Sequence, residues 1–391
     1  MAARASLFRL TGHGHHRVGF IELFFDLVFV FAITQLSHGL LAHLTLLGVA
    51  ETTVLMVAVW WLWIYTSWVT NWLDPELVSV RLLLLAMMAG GLALASAVPQ
   101  AFQGRAWVFA GAYVAMQIGR TLFMLAVTPA SNMVLRRNFL RILAWFAFSA
   151  PLWLAGAMVE GPARLALWAV AVGIELLAPA ARFVVPGFGA SRITDWAIEG
   201  GHMAERCGLF VIIALGESIL VAGATFSAAV WDAPRLLAFG ATFVGSAAMW
   251  WIYFARGAGL GTARITGAAD PGLLARNAYT YIHLPIMAGI IVSAVGDELV
   301  LAHPLGHVGA GAAFGLIGGP ALFLAGAAAF KRTLRGWWQP SHTVGLTVLA
   351  VLVPMSAWGP TWLSPLALAA CVSAILAAVA GWESWSLRAE G

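Results

Sequence analysis

Twelve stretches of about twenty apolar residues follow one another through this chain, near 20–41, 51–72, 78–98, 107–127, 139–159, 164–184, 206–228, 235–255, 278–296, 310–330, 342–358 and 363–383. A helix of that length crosses the hydrocarbon core of a bilayer, where every backbone amide must be paired within its own segment. The connections are short and rich in Pro, Gly and charge, as in "DPEL", "VTPASNMVLRRN" and "GAADPG". Only 10% of the residues are charged and 61% are hydrophobic, too little polarity to cover a water-facing surface. The expected fold is therefore an all-α polytopic membrane protein with about twelve transmembrane helices.

Loop charge tests that count. With twelve spans, seventeen of the 21 Lys and Arg fall on the N-terminal side of the membrane, three on the other (Arg105, Arg164, Arg235), and Arg120 lies inside a span. The positive-inside rule then places both termini in the cytoplasm. The N-terminal residues lack an apolar core before a small-residue cleavage site, so no removable signal peptide is expected.

The two halves echo each other. "VWWLWIYTSW" (59–68) is matched by "MWWIYFARG" (249–257), and "AITQLS" (32–37) by "AGATFS" (222–227). Two parallel six-helix repeats, 20–184 and 206–383, would be related by an axis along the membrane normal, with 185–205 as a cytoplasmic linker and 1–19 and 384–391 as cytoplasmic tails.

Charges inside spans are costly and normally face a protein interior or a water-filled cavity. Glu22 and Asp26 are four residues apart on the first span, so they share one face, with Ser37 within about 60° of it. Glu22 reads either as an interface residue, solvated or paired with Arg17, or as part of that face. Asp26 is deeper and reads as buried against a partner or an ion pathway. His202, Arg206 and Glu217 lie on one face of the seventh span, with Ser218 following. Asp26 and Glu217 would then supply one carboxylate per half, for binding a cation, carrying a proton or clasping arginines. Arg120 and Glu175 are the other deep charges, each a candidate counter-ion, and Pro179 suggests a bent helix beside Glu175. His283 and Pro285 suggest a polar kink. Asp297 and Glu298 read as a solvated span end.

"HGHH" (13–16) lacks a carboxylate or cysteine partner, and Cys207 and Cys371 have no metal-ligand spacing, so neither a metal nor a cofactor is expected. No P-loop, dinucleotide fingerprint or nucleophile elbow is present, and no basic run with interleaved aromatics points to nucleic acid. Membrane lipids, a small cation or proton, and a second copy of the chain are the partners this reading admits.

"RVGFIELFFDLVFVFAITQLSH" and "HMAERCGLFVIIALGESIL", in that order, resemble the characteristic segments of the bacterial low temperature requirement A (LtrA) family. The resemblance spans nearly the whole chain. By position it marks Glu22, Phe25, Asp26, Gln35 and Ser37, then His202, Glu205, Arg206, Gly208, Glu217 and Ser218. It implies a multispanning bacterial inner-membrane protein connected with growth in the cold, without naming a chemistry. Residues 24–34 are also similar, in the pattern F-x-D-x-V-F-x-x-A-I-T, to the first-helix signature of lysosomal and bacterial potassium channels built from six-helix repeats. Phe25 stands where that signature has Ser, and the second half lacks the pattern. The expected function is a transporter or channel for a small cation or protons. A sensor or assembly protein with structural ion pairs, or a membrane-embedded lipid-modifying enzyme, are the alternatives.

Overall fold

A computed structural model describes residues 7–9, 17–192, 195–196, 200–255, 271–358 and 363–389. Among these the long elements are all helices: α1 (Phe20–Ala42), α2 (Leu46–Trp72), α3 (Val78–Ala97), α4 (Ala106–Val127), α5 (Met133–Met158) and α6 (Gly161–Ala180), then α7 (Gly200–Ala228), α8 (Ala233–Phe254), α9 (Gly272–Ala302), α10 (Ala310–Arg335), α11 (Pro340–Trp358) and α12 (Pro365–Ala389). Eleven are long and apolar enough to cross a membrane; the shorter apolar helix Pro340–Ser356 falls where the remaining span is expected. Two of the helices contain wide π-helical turns, Arg276–Tyr281 in α9 and Phe314–Gly318 in α10. His283 and Pro285 follow the first of these turns, so the irregularity sits just before the expected kink.

The helices group into two compact units, Met1–Arg206 with Ala268–Leu273 and Cys207–Gly267 with Leu274–Gly391. In the first, α2 packs against α1, α4 and α6, while α1, α3, α4, α5 and α6 follow one another around it. A helix surrounded in this way is apolar on all sides. Trp61, Leu62, Trp63 and Ile64 are accordingly all buried at successive positions. The helix that would open the second half begins at Gly200, inside the stretch read as linker, so His202 and Glu205 sit on its first turns.

In the second unit, α9 pairs with α10 and α8 with α12. Glycines let α9 and α10 approach closely: a methyl group at Gly289 would overlap the backbone of Phe323, and one at Gly319 the backbone of Ser293. Small residues serve this purpose wherever helices meet without a hydrophobic driving force. The tryptophan echo between the halves does not extend to burial. Trp60 and Trp61 are buried in α2, whereas Trp250 and Trp251 on α8 are exposed.

Candidate functional site

The charged residues of α1 begin at its first turn. Gly19 precedes the helix with an extended backbone, and its N–H donates to Glu22 Oε2 at 2.9 Å. This bond satisfies one of the amides that a helix N-terminus leaves free. Glu22 is fully buried. Its partners are Arg9, whose Nη2 lies 3.3 Å from Oε2, and His202, whose Nε2 lies 3.0 Å from Oε1. Arg9 is held by the carbonyls at the end of α2, donating from Nε to Thr70 and Leu73 at 3.0 and 3.1 Å. Asn71 Nδ2 lies 3.4 Å from His202 Nδ1 and Arg9 Nη2 lies 3.1 Å from His202 Nε2, so both ring nitrogens are engaged. The reading of Glu22 as a solvated group or a partner of Arg17 is therefore corrected: the side chain is enclosed, and Arg9 supplies the arginine.

One helical turn further, Asp26 Oδ1 accepts from Arg206 Nη2 at 2.8 Å and from Trp63 Nε1 at 2.7 Å. Arg206 Nη2 also donates to Ser67 Oγ at 3.2 Å, and the guanidinium lies 5.9 and 5.6 Å from the ring centroids of Phe25 and Trp63. Asp26 and Arg206 are both fully buried. Asp26 Oδ2 and Arg206 Nε and Nη1 have no hydrogen-bond partner among the described residues. Glu22 and Asp26 on α1 thus face His202 and Arg206 on α7, both sets four residues apart, as a two-rung ladder of ionisable pairs. All four residues belong to the first unit. Glu205, beside this ladder, accepts from the Val18 N–H at 3.2 Å.

A second buried network lies across α2. Arg120 donates to the Leu62 carbonyl at 3.3 Å, to Thr66 Oγ1 at 3.1 Å and to Gln117 Oε1, and stands 5.3 Å from the Tyr65 ring centroid. Gln117 Nε2 donates to Tyr113 Oη at 3.0 Å, and Tyr113 donates to Glu175. Ser149 Oγ and Trp153 Nε1 complete the shell of Glu175 at 2.7 and 2.9 Å. Arg120 and Glu175 therefore act through the amide and phenol between them, and no direct ion pair joins them. Ser67 and Thr66, adjacent on α2, each carry one of the two networks.

Other expected residues stand apart. Ser37 is buried but donates to the Thr34 carbonyl, 3.0 Å away in its own helix. Glu217 is half-buried and belongs to the second unit. His283 is fully buried with both nitrogens engaged, by Tyr253 Oη and the Ala278 carbonyl, each at 2.7 Å. Asp297 is not a solvated span end: α9 continues to Ala302, and the carboxylate is half-buried against Ser218 Oγ at 3.4 Å. The sequence pattern also gave no sign of Lys331 and Glu383, which pair at 2.5 Å while buried in the second unit. Both lie near expected span ends, where a charge reads as solvated, and only the packing of α8, α10 and α12 encloses them. Arg9, Trp63, Asn71 and Tyr113 escape sequence reasoning because nothing in their local sequence distinguishes them from loop charge, interfacial aromatics or packing.

"HGHH" (13–16) lies outside the described residues. Among the described residues, no group of three or more His, Cys, Asp or Glu could hold a metal ion.

A family model described as bacterial low temperature requirement A protein (LtrA) matches residues 17–380. An uncharacterized protein of Rhizobium meliloti (strain 1021) is 41% identical over 377 residues, covering 95% of this chain and 90% of the relative. No solved structure matches the chain. With its apolar helices and a family match reaching from the first helix into the last, the chain is a multi-pass membrane protein that belongs to the LtrA family.

Proposed function

We propose that this protein resides in the bacterial inner membrane with both termini in the cytoplasm and moves protons across it through the polar interior of its first unit. The observation that carries the reading is the concentration of fully buried titratable groups in one apolar bundle: Glu22 with His202, Asp26 with Arg206, and Glu175 with Tyr113. Intramembrane ionisable groups of this kind mark ion and proton pathways. Protons fit better than a larger cation, because Glu22 and Glu175 are enclosed by donors, Asp26 is already held on one oxygen, and transfer between hydrogen-bonded groups needs no room for a hydrated ion. Asp26 is the central residue of the proposal: one of its oxygens is held by Arg206 and Trp63, and the other has no hydrogen-bond partner among the described residues.

A second reading, a non-transporting protein whose buried pairs only hold the helices together, is favoured by the three donors that saturate Glu175. Proteoliposomes with a trapped pH-sensitive dye separate the two. Wild type is expected to dissipate a pH gradient, and Asp26→Asn to lose that flux even when only the monodisperse, folded fraction of the destabilised variant is reconstituted. A well-folded wild type that passes no protons would refute transport; flux unchanged in Asp26→Asn would refute the role of Asp26.

A further inference from the structure

We propose that the second unit holds one dehydrated sodium ion in a small cavity bounded by α8, α9, α10 and α12. The cavity has room of about 20 Å³, and its walls include Asp297, Thr242, Ser246, Ser293 and Ser373. That is space for a single water molecule or one bare cation. Asp297 is half-buried, and no Lys, Arg or His among the described residues pairs with it; Ser218 Oγ, at 3.4 Å, is its hydrogen-bond donor. A carboxylate in a membrane-spanning helix without a basic partner calls for a neutralising positive charge.

The hydroxyls are disposed to supply the remaining ligands. Thr242 Oγ1 donates to the Phe239 carbonyl at 3.0 Å, and Ser373 Oγ to the Ala241 carbonyl at 2.7 Å. A hydroxyl carries one proton and two lone pairs. With those protons committed to backbone carbonyls, the oxygens have only lone pairs left to offer, which is what a hard cation takes. Among the described residues, Ser293 Oγ has only the Met249 sulfur, at 4.0 Å, as an acceptor. Gly245 contributes by its missing side chain, since a Cβ there would stand 3.0 Å from Ser373 Oγ. One carboxylate balances one positive charge, so a divalent ion would leave a buried excess charge. An anionic carboxylate is a strong-field oxygen ligand, and such a ligand favours the smaller sodium ion over potassium.

This site uses different residues from the proton pathway and does not depend on it. The test is the thermal unfolding midpoint of the purified full-length protein in detergent, titrated with sodium chloride against choline chloride at equal ionic strength. Wild type is expected to show a saturable rise with sodium alone, because a ligand that binds only the folded state raises the midpoint. Asp297→Asn should abolish the response. Thr242→Val and Ser373→Ala, which keep the carboxylate, should each raise the half-saturating sodium concentration roughly tenfold, and they decide the matter if Asp297→Asn fails to fold. An equal response to choline, or sodium titrations unchanged in these variants, overturns the site. A potassium response equal to or stronger than that to sodium overturns the choice of ion. Because proton flux is not read, failure here leaves the first-unit proposal to its own experiment.

Discussion

Neutralising Asp26 while leaving Arg206 in place should be among the most damaging conservative substitutions in the first unit. The carboxylate and guanidinium approach to 2.8 Å with neither exposed. At an effective dielectric constant of about 20, two unit charges at that separation attract by roughly 6 kcal/mol. Much of this only offsets the cost of taking both ions out of water. Removing one partner exposes that cost, about 3–5 kcal/mol, because the survivor stays buried and unpaired. Asn at position 26 keeps an oxygen for Trp63, so the loss is almost purely electrostatic. Arg206 has little with which to recover: Ser67 Oγ at 3.2 Å remains, and Nε and Nη1 already lack partners among the described residues. A double-mutant cycle of Asp26→Asn, Arg206→Gln and the pair, followed by denaturant unfolding in mixed micelles, should find the double variant more stable than the sum of the singles implies. The expected coupling is about 2–3 kcal/mol, near the upper end for residues in direct contact. Additivity to within about 0.5 kcal/mol would refute the idea that these two charges support each other.

Two further stability predictions rest on the second unit. Gly289→Ala or Gly319→Ala should lower stability by about 1–3 kcal/mol through overpacking of α9 against α10, whereas Gly240→Ala, where a methyl group meets nothing within 4 Å, should be neutral or slightly stabilising; equal effects in thermal unfolding would contradict the close-approach argument. Lys331→Met leaves the Glu383 carboxylate buried without its cation and should cost about 3–5 kcal/mol, and adding Glu383→Gln should recover part of the loss; if the double variant is no more stable than Lys331→Met, the pair is not coupled.

How far the sequence reaches depends on the physical scale of each feature. The helical class and the positions of the spans follow from hydrocarbon thickness and backbone hydrogen bonding, which act on windows of about twenty residues. The i, i+4 spacing of Glu22 with Asp26, and of His202 with Arg206, likewise places each pair on one helical face by spacing alone. What those faces meet is a tertiary matter. The sequence separates Glu22 from His202, and Asp26 from Arg206, by 180 residues, and no local periodicity reports which helices will be neighbours. Arg9 could not be assigned to Glu22 because its anchor is a set of backbone carbonyls at the end of α2. Lys331, Glu383 and Asp297 look solvated in the sequence because burial near a span end depends on how neighbouring helices are packed. By itself the sequence determined that this chain is a bundle of membrane-spanning helices with charges on particular faces. Only the tertiary structure decided which charges neutralise one another, because pairing in an apolar interior is set by where helices pack and not by the segments that carry them.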